Sequence, residues 1–181
     1  MSIMKLPNDS VFVPFGQSQF LLTIDKNLEQ YFSEADSSFW FKFTPSLKVE
    51  GPPHHVHGGF LASLMDEAMG GSVWLNGFTA VTHKLQMDYR KPVPLDQTHT
   101  VRSVVADKQR RRLITESELT DEDGTVLTRA TADFFIIDIA KLGKVPHEYT
   151  MFRRFHELRK SGMSIEKVID QLNREFEKSA G

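Results

Sequence analysis

Residues 57–71 read HGGFLASLMDEAMGG, and this stretch decides the fold. Its apolar residues recur every three or four positions, which is the spacing of one face of an α-helix. Gly77 is a helix stop, so the pattern predicts one long helix from about His57 to Gly77. The apolar positions of this helix are Phe60, Leu61, Leu64, Met65, Ala68, Met69, Val73 and Trp74.

Strand-like stretches lie on both sides of this helix. Before it, residues 39–44 predict a strand with Phe39, Phe41 and Phe43 on one face. After it, four more strands are predicted at residues 79–90, 98–106, 111–120 and 125–138, the last two joined by a tight turn at residues 121–124. A run of strands after a single helix favours an α+β layout, in which an antiparallel sheet wraps the helix.

The first of these four strands also predicts which side chains share a face. Simple alternation along residues 79–90 puts Val81, Leu85, Met87 and Tyr89 on one side of the strand.

The two ends of the chain carry different patterns. Residues 1–38 are predicted as an N-terminal arm and a short helix, with a weak helical pattern over residues 20–34. Residues 39–138 are predicted as the central domain. Residues 139–181 are predicted as a helical extension, a pair of helices broken at Gly162. Its apolar stripe is expected to pack on the sheet or on a dimer mate, and the alternative is docking to a membrane or a partner.

Composition excludes several classes of function. The 181 residues suit one domain with appendages, and 22 basic against 24 acidic residues give a net charge of −2, unlike a nucleic-acid binder. With no cysteine, disulfides, zinc–thiolate sites and thiol nucleophiles are excluded. No apolar run reaches the ~18–20 residues of a membrane span. The N-terminus resembles neither a signal nor a transit peptide, so a cytoplasmic protein is predicted.

The start of the long helix is suited to binding negative charge. Gly58 and Gly59 are poor helix formers, which suggests that a ligand approaches the backbone closely at this point. Free amides at a helix start stabilise an anion, such as a carbonyl oxygen that becomes an oxyanion. Farther along, Ser63 and Asp66 share one face with Gly59 and Gly70, and Asp66 is a candidate general base or nucleophile.

The spacing of these two features suggests a site shared by two chains. Gly58 and Asp66 are eight residues apart, which is ~12 Å along a helix. One carbonyl group cannot touch both within one subunit. If both act on the same substrate, the site is composite and the protein is a homodimer or a dimer of dimers.

The motif resembles that of the hotdog-fold acyl-CoA thioesterases of the PaaI-like type, named after a phenylacetate-pathway protein. His57-Gly58-Gly59 opens a long helix, an acid follows at Asp66, and antiparallel strands come next. The branch of thioesterase superfamily members 4 and 5 is similar in having a Thr sixteen residues beyond the acid, here Thr82. Many relatives carry Asn six residues before the His; this chain has Gly51 there, which separates it from the Asn-bearing branch.

The resemblance implies an activity and roles for residues. The enzyme would hydrolyse a fatty or aromatic acyl-CoA to free acid and CoA, without metal or prosthetic group. The Gly58 amide would polarise the thioester carbonyl, and Asp66 of the partner chain would activate water or attack. His57 would support the loop, and Thr82 would help to place the water. The alternative is a non-catalytic acyl-CoA-binding or regulatory hotdog protein.

Other polar groups are candidates for contact with the substrate. Gly59 and Ser63 lie beside the proposed catalytic groups. The phosphates of CoA need cations, and the basic clusters offer Arg90, Lys91, Arg110 and Arg111. The histidines at 54, 55 and 57 are not a predicted metal site, because no nearby carboxylate or Cys completes a ligand set.

Overall fold

The computed structural model describes residues 5–14, 19–138 and 147–177. Its strands are β1 (Val11–Phe12), β2 (Leu28–Ser33), β3 (Ser38–Phe43), β4 (Ala80–Tyr89), β5 (His99–Gln109), β6 (Arg112–Thr120) and β7 (Val126–Ile136). Its helices are α1 (Gln19–Ile24), α2 (Gly58–Leu75), α3 (His147–Lys160) and α4 (Ile165–Glu177), with a short 3₁₀ turn at Leu47–Val49.

The strands form one antiparallel sheet around α2. Over the described residues the strand order is β1-β2-β3-β5-β6-β7-β4, so β4 lies at one edge and β1 at the other. The long helix packs on the inner face of this sheet, against strands β3 to β7. The predicted α+β layout is therefore confirmed, and so are the long helix and the four strands that follow it.

The phenylalanines of β3 fill the core between sheet and helix. Phe39, Phe41 and Phe43 are all buried, and the rings of Phe39 and Phe41 meet edge to face with centroids 4.9 Å apart. The helix comes very close to them at Gly71, where an added Cβ would lie 2.8 Å from the Phe39 ring. A larger residue at position 71 would therefore require the buried Phe39 ring or the helix to shift.

A β-bulge in β4 corrects one predicted face. Thr82 pairs with Phe134, but the next paired residue is Lys84, opposite Asp133, so His83 is an extra residue in the strand. A bulge reverses the alternation of side chains on its two sides. Val81 therefore lies opposite Phe135 on the outer face, not on the side of Leu85, Met87 and Tyr89 as alternation predicted. Thr82 instead faces the helix.

The predicted helical pattern over residues 20–34 is only partly right. The helix α1 ends at Ile24, and Leu28–Ser33 form β2, which pairs with β3 through its whole length. Leu28 and Phe32 face the core together with Gln30, which is also buried. A polar residue in the middle of the buried face hides the alternation of a strand.

The predicted pair of C-terminal helices is confirmed as α3 and α4, with Gly162 between them at φ +84°. Glu34, in the turn after β2, accepts a hydrogen bond from the Ile165 amide (3.1 Å) and forms an ion pair with Arg159 (2.5 Å). One carboxylate thus joins the start of α4 and the end of α3 to the sheet. The predicted boundary at residue 139 lies outside the described residues, and the division at 1–38, 39–138 and 139–181 remains a prediction.

Within the described part of the chain, no helix has the length and apolar character needed to cross a membrane.

Candidate active site

His57 caps the start of α2. Its ring nitrogen Nδ1 accepts a hydrogen bond from the Gly59 amide at 3.0 Å, and its carbonyl accepts the first helical bond, from the Leu61 amide. This satisfies one of the amides that a helix start leaves unpaired. The His57 backbone amide donates to the Val49 carbonyl at 2.7 Å, which fixes the approach of the chain to the helix.

Gly51 packs directly against His57, the residue that caps α2. A Cβ at Gly51 would lie 2.7 Å from the Cα of His57, closer than side chains approach backbone atoms in folded proteins. Position 51, where the resemblance implies Asn in many relatives, is therefore closed to any side chain in this loop.

The peptide between Gly58 and Gly59 is held at both of its polar atoms. The Gly59 N–H donates to His57, and the Gly58 carbonyl accepts a hydrogen bond of 2.9 Å from the Tyr89 hydroxyl. The residue that completes this arrangement comes from the far end of β4. We call this arrangement of His57, Tyr89 and the Gly58–Gly59 peptide the peptide clamp.

The clamp leaves the Gly58 amide available. Among the described residues no hydrogen-bond acceptor lies on the Gly58 N–H, and it stands at the positive end of an 18-residue helix. The two glycines differ in their surroundings. A Cβ at Gly59 would press on the His57 ring at 3.1 Å, whereas a Cβ at Gly58 would make only ordinary contacts, the nearest at 3.7 Å to Tyr89. Packing within the chain explains Gly59 and does not explain Gly58.

Asp66 and Thr82 form the second part of the site. The Thr82 hydroxyl donates a hydrogen bond of 2.8 Å to Oδ1 of Asp66, and the bulge at His83 is what turns Thr82 toward the helix. Burial raises the pKa of the Asp66 carboxyl, and the Thr82 hydrogen bond partly offsets that rise by stabilising the carboxylate. A half-buried carboxylate with a raised pKa is a stronger base than an exposed aspartate and is suited to accept a proton.

One chain does not bring the two parts together. The helix α2 and the strand β4 run antiparallel, so Gly58 lies beside Tyr89 at one end of β4 and Asp66 lies beside Thr82 near the other. The face of α2 between them carries small side chains. Ser63 bonds back to the Gly59 carbonyl, and nothing lies within 4 Å of a Cβ added at Gly70. This face is open over the described residues.

A pocket of about 240 Å³ opens beside the clamp. It lies where the N-terminal residues, the 3₁₀ turn and the start of α2 meet. Its lining residues are Phe20, Ile24, Lys48, Val49, Glu50, His57, Gly59, Phe60 and Ser63. Three of the residues predicted to act at the site, His57, Gly59 and Ser63, therefore share this pocket.

The four candidate phosphate-binding cations fall into two groups. Arg90 and Lys91 follow Tyr89 at the end of β4, and Arg90 forms a half-exposed ion pair with Asp88 at 2.7 Å. Arg110 and Arg111 form the turn between β5 and β6, beside Ile136 and hence near the start of β4. Within one chain the ten residues of β4, about 33 Å of strand, separate the two groups.

Within the described ranges, no three His, Asp or Glu side chains converge as they would around a metal ion.

Tyr89 is the site residue that sequence reasoning missed. Tyr89 follows Thr82 by seven residues, and Gly58 precedes Asp66 by eight. Eight helical residues span ~12 Å and seven strand residues span ~23 Å, so this spacing alone does not match Gly58 with Tyr89. The contribution of α1 to the pocket also had no clear signal, because Phe20 and Ile24 belong to a short helix with a weak pattern.

The chain resembles known proteins in sequence. Residues 54–128 match the model of the thioesterase superfamily. The chain is 33% identical over 106 residues to acyl-coenzyme A thioesterase THEM4 of Xenopus laevis, which covers 58% of this chain and 47% of that protein. The chain thus spans about half the length of this curated relative.

Two solved structures show the same fold. A thioesterase superfamily protein superposes with a TM-score of 0.58 at 26% identity, covering 61% of this chain and 53% of the other. The PaaI protein of Escherichia coli superposes with a TM-score of 0.54 at 18% identity, covering 57% of this chain and 75% of the other. The predicted hotdog fold is confirmed, and within it residues 54–128 match the thioesterase superfamily.

Proposed function

We propose that this protein is an acyl-CoA thioesterase that hydrolyses a fatty or aromatic acyl-CoA to free acid and CoA. The observation that carries the proposal is the arrangement along α2: a clamped peptide with a free Gly58 amide at the start, and an Asp66 carboxylate held by Thr82 two turns later. The unexplained glycine at position 58 supports it, since a substrate carbonyl approaching the amide would need that space.

The active site is composite and uses two copies of the chain. The edge strand β4 has no neighbour on its outer side over the described residues, and apolar side chains beside that edge are exposed, with Val81 at 44% and Phe135 at 38%. Antiparallel pairing of two β4 strands about a two-fold axis at Gln86, with His83 bulged out of the ladder, sets Tyr89 opposite the partner subunit's Thr82. Gly58 then faces the partner subunit's Asp66, and the site occurs twice.

The chemistry follows from these positions. The thioester carbonyl oxygen accepts a hydrogen bond from the Gly58 N–H, which stabilises the negative charge of the tetrahedral intermediate. Asp66 of the partner subunit takes a proton from water as the water oxygen attacks the carbonyl carbon. When the intermediate collapses, the C–S bond breaks, and the CoA sulfur leaves with the proton that Asp66 had taken. Thr82 positions the carboxylate, and His57 positions the Gly58–Gly59 peptide.

The same pairing supports a site for the CoA phosphates. The two cation groups lie at opposite ends of β4 in one chain, and antiparallel pairing sets Arg90 and Lys91 near the partner subunit's Arg110 and Arg111. Four cationic side chains at the entrance of one active site are suited to bind the negatively charged phosphates of CoA. Gly59 and Ser63 contact the acyl end of the substrate in this arrangement.

The Asp66→Asn variant tests the mechanism. We expect the turnover of acyl-CoA esters, followed by thiol release, to fall about 10³-fold, because the amide cannot take a proton from water. Binding of acyl-CoA, followed by calorimetry, and the oligomeric state stay as in the wild type. The matched control is Asp123→Asn, which removes an exposed carboxylate in the turn between β6 and β7, outside the proposed site.

Three outcomes separate the alternatives. Activity of Asp66→Asn within a few-fold of the wild type would contradict the mechanism. Binding of acyl-CoA by a wild-type protein that releases no thiol from any ester would favour the non-catalytic acyl-CoA-binding protein. A monomer that is fully active would contradict the composite site. The homodimer, the dimer of dimers and the cytoplasmic location stay predictions.

A further inference from the structure

The pocket beside the clamp has an apolar floor and an apolar outer wall. Phe20 and Ile24 of α1 form one side, and Val49 and Phe60 face them from the 3₁₀ turn and from α2. The charged residues Lys48 and Glu50 lie at its rim. Phe20 is 58% exposed, which is unusual for a phenylalanine and leaves the outer wall open to solvent.

The wall from α1 is fixed in place. Asp25, at the end of α1, is buried, and its Oδ2 accepts a hydrogen bond of 2.8 Å from the Ser46 amide at the start of the 3₁₀ turn. Its Oδ1 accepts from the Asn27 amide at 3.1 Å. Leu21, on the other side of the helix, is fully buried. The helix is therefore attached to the central domain on two sides, and Phe20 projects from a firm support.

The same chain of contacts reaches the clamp. The 3₁₀ turn that Asp25 holds ends at Val49, whose carbonyl accepts the His57 amide at 2.7 Å. His57 in turn caps α2 and borders the pocket. The apolar walls and the Gly58 amide thus belong to one continuous set of hydrogen-bonded segments, and the pocket is formed before any ligand binds.

We propose that this pocket is the subsite for the acyl chain and that Phe20 of α1 sets the preference for chain length. The inference rests on the proposed thioesterase function, because it takes the Gly58 amide as the position of the thioester carbonyl. The occupant is an unbranched aliphatic acyl chain. Its first carbons pass Gly59 and Ser63, and its later carbons lie between Phe60 and Phe20.

The size of the pocket sets the length of chain that gains from it. A volume of about 240 Å³ holds about eight groups of the size of a water molecule, at ~30 Å³ each, and a methylene is of similar size. Each methylene buried from water raises the specificity constant about fourfold. The specificity constant therefore rises from acetyl to about octanoyl and changes little for longer chains, whose ends pass Phe20 into solvent.

The test compares two exposed phenylalanines across a series of acyl-CoA esters. Phe20→Ala removes the outer wall, and Phe12→Ala is the control, because Phe12 is similarly exposed (46%) but lies on β1 away from the pocket. For Phe20→Ala we expect kcat/KM to fall about five- to tenfold with octanoyl-CoA and less than twofold with acetyl-CoA. For Phe12→Ala both values stay within twofold of the wild type.

The outcomes distinguish the subsite from the function. If esters are hydrolysed and Phe20→Ala keeps the wild-type profile of chain lengths, the subsite is wrong and the thioesterase assignment stands. If no ester is hydrolysed, the thioesterase assignment fails, and calorimetry then tests the subsite alone. In that experiment, equal affinity of wild type and Phe20→Ala for octanoyl-CoA overturns the proposal, and a five- to tenfold weaker affinity of the variant supports it.

Discussion

The two ends of β4 hold the two parts of the proposed site in different ways. At the end near Tyr89, the Gly58–Gly59 peptide is fixed by two side chains, with hydrogen bonds of 3.0 Å and 2.9 Å at its two polar atoms. At the other end, Asp66 has one described hydrogen-bond donor, the Thr82 hydroxyl at 2.8 Å. Two hydrogen bonds thus hold the Gly58–Gly59 peptide, which we call the amide end, and one holds Asp66, the acid end.

The kind of bond also differs between the two ends. The amide end is held by hydrogen bonds between neutral groups, each worth about 0.5–1.5 kcal/mol, whereas a hydrogen bond to a charged carboxylate is worth about 1.5–3 kcal/mol. Removing the Thr82 hydrogen bond leaves Asp66 without a described donor, whereas removing one of the two bonds at the other end leaves the Gly58–Gly59 peptide held by the second. We therefore expect a larger loss from one substitution at the acid end than from one at the amide end.

Among the variants that remove one of these hydrogen bonds, Thr82→Val gives the largest effect on activity. The variant keeps the shape of the side chain and removes the hydroxyl that stabilises the Asp66 carboxylate. The pKa of Asp66, already raised by burial, rises further, so the base is protonated up to a higher pH. We expect kcat/KM to fall roughly 10- to 100-fold on the acidic side and less at high pH. The measurement is the pH profile of thiol release.

Thr82→Ser is the control for this effect, because it keeps a hydroxyl donor at the same position. Its acid limb, the rise of kcat/KM with pH, should lie close to that of the wild type. A Thr82→Val profile that drops equally at all pH values, with an unmoved acid limb, would contradict a role of Thr82 in stabilising the carboxylate.

Tyr89→Phe gives a smaller effect. The ring stays, the hydroxyl bond to the Gly58 carbonyl is lost, and His57 still holds the Gly59 amide. We expect kcat to fall about three- to tenfold while KM stays within twofold, because the bond orients a group that acts on the transition state. The variant is compared with Tyr31→Phe, which removes another exposed tyrosine hydroxyl, one that bonds to Glu29 on β2.

Two results would contradict this role of Tyr89. One is a loss for Tyr89→Phe larger than that for Thr82→Val, which would reverse the comparison between the two ends. The other is a three- to tenfold rise of KM with kcat unchanged, which would mean that Tyr89 contacts the bound substrate. Gel filtration of the variant checks that the oligomeric state, which the edge strand serves in the proposal, is unchanged.

Asp66→Asn gives the smallest effect when stability is measured in place of activity. Because burial raises the pKa of Asp66, the folded chain keeps a proton that the unfolded chain releases above pH ~3.8. The contribution of Asp66 to the free energy of unfolding is therefore lost as the pH rises from ~3.8 through the pKa of Asp66 in the folded state. At neutral pH the neutral Asn should raise Tm by about 1–2 °C, read by calorimetry.

The direction of this change in Tm tests the direction of the pKa shift of Asp66. At pH 3, where Asp66 is protonated in both states, the variant and the wild type should melt at the same temperature. A drop in Tm at neutral pH would mean that the carboxylate stabilises the fold, contrary to the direction of its pKa shift. Asp88→Asn, which breaks an exposed ion pair with Arg90, should give no rise.

Sequence patterns predicted the parts of the fold in which local and tertiary forces agree. The apolar positions of α2 recur at helical spacing because one side of that helix packs on the sheet, so its limits could be read to within a few residues. The three phenylalanines of β3 alternate for the same reason. The resemblance in the region from His57 to Thr82 led to Gly58 and Asp66, and the structure sets both beside specific partners.

The rest could not be predicted because single residues interrupt the patterns. The buried Gln30 makes β2 look unlike a strand, and the extra residue His83 moves Val81 to the outer face. The register of a strand depends on its neighbour, here β7, and one chain read locally does not contain that information. The clamp needs Tyr89 from a position thirty-one residues after Gly58, and only the antiparallel packing of helix and strand brings the two together.

The contact between Gly51 and His57 has a consequence for protein engineering. Since a Cβ at position 51 would collide with the backbone at position 57, Gly51 cannot be changed alone to a residue with a side chain. A variant with a side chain at position 51 has to replace the whole segment 49–57, with its hydrogen bonds from Gly51 to the His55 carbonyl and from His57 to the Val49 carbonyl. The loop is in this sense a single exchangeable cassette, and its residues are not independent positions in a mutational library.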